Sequence, residues 1–167
     1  MSLLRQLLQI RELRERRAQS ALRSEREALA QAVDTRIAAA SSLAVFQELS
    51  LAREHALYAD LLAREVKVRD IQDVRSEISQ MRVKEIGLTQ GLERAQDAQT
   101  QQEDVVEVAR VAHQKTQRAE QKIIEQIAVQ AREESVLIDR AEEADLAEVG
   151  GMSDRAGVQH HAGEVPL

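Results

Sequence analysis

The chain has 167 residues, a formal net charge of -6, one Phe, one Tyr, no Trp and no Cys. An acidic balance argues against nucleic acid as a partner, because binding it by counterion release needs a basic face. Absence of cysteine excludes disulfides and cysteine-based metal sites, and so few aromatics leave too little bulk for a round, multilayer core.

Ala, Glu, Lys, Leu and Arg supply 86 residues, about half of the total. That share, together with helical periodicity, points to long helices or a coiled coil. Length alone suits one domain. Arginines interrupt the start before an apolar signal-peptide core can form, and no run reaches the ~18 apolar residues of a membrane span. The expectation is a cytosolic protein.

No proline precedes Pro166 and no glycine precedes Gly87, so nothing breaks a helix in the first 86 residues. Ser2 is a candidate cap for the first turn. Leu3, Leu7 and Ile10 step by 4 and 3 and predict an apolar stripe. The seam then reads Leu22, Leu29, Val33, Ile37 and Ala40, with one extra residue against a strict heptad, a stutter. Phe46, Leu49, Leu57, Tyr58, Leu61 and Leu62 make the bulkiest region. Glu12 with Arg16, and Glu65 with Arg69, have the acid-first spacing of surface helix pairs.

From Ile71 the register is regular: Val74, Ile78, Met81, Glu85, Leu88, Leu92 and Ala95. Gln99 and Gln102 make a polar gap, and Val106, Ala109 and His113 follow. Ala119, Ile123, Ile127, Ile138 and Ala141 complete the stripe. Polar seam positions cost stability but fix alignment and partner choice. One unbroken helix of ~150 residues would reach about 220 Å with its stripe uncovered, so the chain is expected to fold back on itself.

Charge supports that topology. Residues 1–26 hold seven arginines against three glutamates, and residues 133–167 hold nine acids against two arginines. An antiparallel hairpin sets these ends side by side, whereas a parallel dimer stacks like on like. The expected fold is all-α: two long helices forming an antiparallel coiled-coil hairpin over 1–149, followed by a disordered, flexible tail over 150–167. The turn is expected near 66–78, where Asp70 or Asp73 could cap the second helix. Gly87 and Gly91 mark a rival turn.

Nothing in the sequence has the pattern of a catalytic centre. It has no phosphate-binding glycine loop and no nucleophile elbow. His160 and His161 are adjacent in a glycine-rich tail, a poor frame for a metal. The sharpest feature is Arg11, Arg14, Arg16 and Arg17. Arginine is used without lysine through residue 66, and its planar fork binds carboxylates in a bidentate way that lysine cannot.

The segment LLRQLLQIRELRERRAQSAL, with the Ala/Leu/Arg/Glu/Gln-rich hairpin after it, resembles the stalk proteins of type III secretion systems. These are the YscO-like proteins of injectisomes, related to the flagellar FliJ. The resemblance covers residues 1 to about 149. It implies a monomeric hairpin without cofactor, at the cytosolic face of a membrane-embedded apparatus but not inserted in the membrane. Its paired termini would enter a hexameric secretion ATPase, its other end would face an export-gate membrane protein, and it would also handle export chaperones. On that reading Leu3, Leu7, Arg11, Arg14, Arg16, Arg17, Glu133, Glu142 and Glu143 form the ATPase-facing end. The alternative is a coiled-coil adaptor or chaperone-like scaffold with no ATPase partner.

Overall fold

The computed structural model describes residues 3–157, which form two helices, α1 (Leu3–Ala63) and α2 (Val68–Gly157). The expected cap Ser2 and the pair His160 and His161 lie outside the described residues. Of the expected tail, 158–167 also lies outside them, while the backbone of α2 continues to Gly157. The chain reverses over residues 64–67, at the near edge of the 66–78 window. Gly87 and Gly91 lie within α2, and a Cβ added at either would meet nothing within 4 Å.

Local chemistry explains the reversal. The Lys67 carbonyl accepts from the Asp70 N–H at 3.0 Å, which opens α2. In return the Lys67 N–H donates to the Asp70 carboxylate at 2.9 Å. This is the acidic half of a capping box, with lysine where Ser, Thr or Asp usually stands. Asp70 therefore serves the cap from the third helical position. Arg64 braces the same turn, 3.1 Å from Asp60 and 3.9 Å from Asp70.

The helices divide into two compact units: Glu15–Thr116, and Met1–Arg14 with Gln117–Leu167. Within Glu15–Thr116 the pairing is antiparallel: Glu15 meets His113, Glu25 meets Gln102, Gln47 meets Glu85 and Arg53 meets Glu77. The core is a single seam. Leu22 (6% exposed), Ile78 and Ala95 are its most buried residues.

On α2 Asp70, Glu77, Thr89, Gly91 and Arg110 are covered beside the seam, and the seam positions in this unit run Val74, Ile78, Met81, Glu85, Leu88, Leu92, Ala95, Gln99, Gln102, Val106, Ala109, His113 and Thr116. They alternate by 4 and 3 without a fault, the knobs-into-holes spacing of a coiled coil. Ile71 continues the spacing one step earlier but is half exposed.

The seam of α1 matches the sequence expectation in part: Leu22, Leu29, Val33 and Ala40 are covered as expected. The line that alternates by 3 and 4 runs Glu15, Ala18, Leu22, Glu25, Leu29, Ala32, Arg36, Ala39, Leu43, Phe46 and Ser50, with Ala28, Val33 and Ala40 covered beside it. Ile37, expected in the seam, is 52% exposed. The stutter exists but lies later, where Leu43, Phe46, Ser50, Glu54 and Leu57 step by 3, 4, 4 and 3. The bulky region divides: Phe46, Leu57 and Leu61 are partly covered, whereas Leu49, Tyr58 and Leu62 are exposed.

Several polar groups in this seam answer one another, whereas Arg36 Nε and Gln99 Oε1 are buried without a hydrogen-bond partner. His113 Nε2 stands 2.9 Å from Glu15 Oε1, both side chains 18% exposed. Gln102 Nε2–H donates to the Glu25 carboxylate at 2.6 Å and to the Glu25 carbonyl at 3.1 Å. The Ser50 hydroxyl donates to the Met81 sulfur at 3.6 Å. At the margin, the Lys84 ammonium sits 5.0 Å from the centre of the Phe46 ring, a cation–π contact. The surface pairs actually formed are Arg23–Glu27, Arg64–Asp60 and Arg110–Glu107, rather than Glu12–Arg16 and Glu65–Arg69.

Candidate functional site

The residues expected at the ATPase-facing end fall in both units. In the unit of Met1–Arg14 with Gln117–Leu167, α1 contributes Leu4, Leu7, Leu8, Arg11 and Glu12 as covered positions. Across from them α2 contributes Ala119, Glu120, Ile123 and Ile127, of which Ile123 is the most buried at 8% exposed. Leu3 is 80% exposed and Ile10 is half exposed, so the sequence stripe of Leu3, Leu7 and Ile10 is rotated off the true seam. Arg11 lies in that seam. Its Nε is shut off from solvent and has no hydrogen-bond partner, while its long stem covers apolar surface. Arg14 is exposed.

The acids do not face these arginines. Twelve described residues of α1, from Leu3 to Arg14, and eleven of α2, from Gln117 to Ile127, both span about 17 Å at 1.5 Å per residue. Beyond Ile127, every residue from Ala128 to Glu148 is exposed, including Glu133, Glu142 and Glu143. The unlike charges of the two termini are thus consecutive along this unit, not side by side. Sequence reasoning missed this because it balanced charges over whole segments without a register. The buried Ile123 and Ile127, followed by no further covered position, are the signal that sets it.

In the unit Glu15–Thr116, Arg16 and Arg17 are exposed on α1. The same unit carries an apolar surface at the turn. Leu62 is 88% exposed, Val68 and Ile71 are exposed, and Tyr58 with Leu61, Ile71 and Val74 floors an open groove rimmed by Arg75 and Arg82.

Two ion pairs shift the carboxylates they contain. The Arg53 guanidinium donates to the Glu77 carboxylate at 2.7 and 3.4 Å and holds Glu77 below the usual carboxylate range. Arg110 acts on Glu107 in the same way. Among the described residues no group of His, Asp and Glu is arranged to hold a metal ion, and no helix is long and apolar enough to cross a membrane.

The family model for type III secretion protein YscO matches residues 4–150. The chain belongs to the YscO family. No curated protein matches it in sequence. The crystal structure of the type III secretion protein YscO from Vibrio parahaemolyticus is similar in fold, with a TM-score of 0.73 at 19% identity, covering 87% of this chain and 91% of that one. The YscO match spans α1, the 64–67 turn and nearly all of α2 before Gly157. Both stretches that carry the expected site residues, Leu3–Arg17 and Glu133–Glu143, therefore lie within it, apart from Leu3.

Proposed function

We propose that this YscO-family chain is a non-enzymatic central-stalk component of a type III secretion system, working at the cytosolic face of the membrane. Its terminal end engages a hexameric secretion ATPase, and its turn faces the export-gate membrane protein. Handling of export chaperones belongs to the same reading. The observation that carries the proposal is family membership joined to a hairpin whose burial is one seam deep, with grooves open to water. Over the described residues such a body offers open surfaces suited to partners.

The mechanism follows from symmetry. A two-helix hairpin placed on the axis of a six-fold ring cannot touch all six subunits alike. It stabilises different nucleotide states in different subunits, and differential contact of that kind is what couples sites. Arg14, Arg16 and Arg17, exposed on α1, are suited to bidentate contacts with carboxylates of the ring. Leu3, Leu7 and Arg11 lie on the same helix end, and Glu133, Glu142 and Glu143 extend it along α2. Exposed Leu62, Val68 and Ile71 at the turn suit a membrane-protein partner at the other end.

The test is charge reversal at the three exposed arginines: Arg14→Glu, Arg16→Glu and Arg17→Glu together. ATPase stimulation should be lost while helical circular dichroism is unchanged. Stimulation at the wild-type level by the folded variant refutes the assignment.

A further inference from the structure

From Ala128 to Glu148, α2 has no covered position. Val129, Val136, Leu137, Ile138 and Leu146 are nevertheless all about half exposed or more. Val129, Val136, Leu137 and Arg140 fall on one side of the helix, where Arg132, Glu133, Val136, Leu137 and Arg140 line a shallow apolar groove. A single helix gains little from propensity alone in water, and its stability normally comes from packing an apolar face. Apolar side chains gathered this way mark a surface that is covered in the working state.

Charge selects what covers it. The stretch holds seven acids and two arginines, so two copies laid together would gather fourteen acids against four arginines. Like charges brought together across an interface are costly, which counts against a second copy. This unit's own α1 stretch is already matched to Gln117–Ile127.

We infer that residues 128–148 of α2 dock as a lone helix into a groove or channel of a partner protein lined by aliphatic side chains and ringed by Lys and Arg. The inference rests on the stalk reading above and deepens it. The element that enters the ring is this single acidic helix, ahead of the two-helix part, and it is held by Val136 and Leu137 on one side and by the acids around it. Electrostatic attraction speeds encounter and makes it sensitive to salt, while the aliphatic contacts set residence time.

The experiment uses the full-length chain and the purified hexameric secretion ATPase of the same system. Binding is measured at low and high salt for the wild type and two variants. One is Val136→Gln with Leu137→Gln, both changes keeping a side chain of good or equal helix propensity. The other is Glu133→Gln, Glu142→Gln and Glu143→Gln. All five positions are exposed, so the fold is spared.

The expected result is binding weakened about tenfold or more by the Val136/Leu137 pair, and a salt dependence flattened by the triple variant. If the wild type binds and both variants match it, the lone-helix inference is overturned and the stalk reading survives. If the wild type does not bind at all, both fall. A concentration-dependent dimer in light scattering that is abolished by the Val136/Leu137 variant also overturns the inference, because a second copy would then be the occupant.

Discussion

The placement of the α1 seam makes a sharp prediction from two aliphatic residues fifteen positions apart. Leu22 is 6% exposed and Ile37 is 52% exposed. Leu22→Ala removes three carbons from the most buried site of its unit, worth about 2.4 kcal/mol at ~0.8 kcal/mol per carbon group. A seam one side chain deep can partly close over the gap, which holds the cavity contribution down, so a total cost of about 2–3 kcal/mol is expected. At Ile37 about half of the side chain is already in water, so the same arithmetic gives about 1.2 kcal/mol. The higher helix propensity of alanine offsets part of it, leaving a net cost below about 1 kcal/mol. Urea unfolding followed by helical circular dichroism gives the two costs. Amide hydrogen exchange over residues 15–40 shows whether the loss is local. Equal destabilisation by the two variants would refute this register and restore the seam that runs through Ile37.

Two further perturbations test other features. Gly87→Ala and Gly91→Ala lie in helix with nothing near the added Cβ, so each should stabilise by roughly 0.5–1 kcal/mol in thermal unfolding; a loss above that size would mean that one of them is the turn. Glu77 is held below its ordinary value of 4.5 by the Arg53 guanidinium. A carboxylate depressed in the folded state stabilises fully above its ordinary value and loses that contribution as pH falls through the folded one. The Tm difference between wild type and Glu77→Gln should therefore hold above about pH 5 and shrink on acidification; a gap that widens in acid contradicts the pairing.

Much of α2 was legible in the sequence, because Val74 through Ile127 keep a strict 4–3 alternation even where Glu85, Gln99, Gln102 and His113 take seam positions. The seam of α1 was legible only in part. Its inward positions include Glu15, Glu25 and Arg36, while Ile37 and Leu49 face water. Apolar spacing alone follows the aliphatics and is misled there. The facing helix turns two of those polar residues inward: His113 answers Glu15 and Gln102 answers Glu25, and such partners become visible only once the pairing is set. The Arg36 Nε is buried without a partner. The end charges had suggested antiparallel topology, but a segment sum contains no information on how far one helix runs past the other. The exposed acids beyond Ile127 follow from that offset. The 64–67 turn lacked the usual signs, since lysine stands at the cap and the acid that completes it is three residues on.

The buried polar pairs carry a mechanical consequence. Sliding one helix past the other by a single heptad, within Glu15–Thr116, would set His113 against Leu22 and Gln102 against Ala32. That would strand the carboxylates of Glu15 and Glu25 without hydrogen bonds in a poorly hydrated strip, and groups left so cost far more than the contacts they had made. The two strands of this lever are notched together, so an axial push or twist applied to one is passed to the other without slippage.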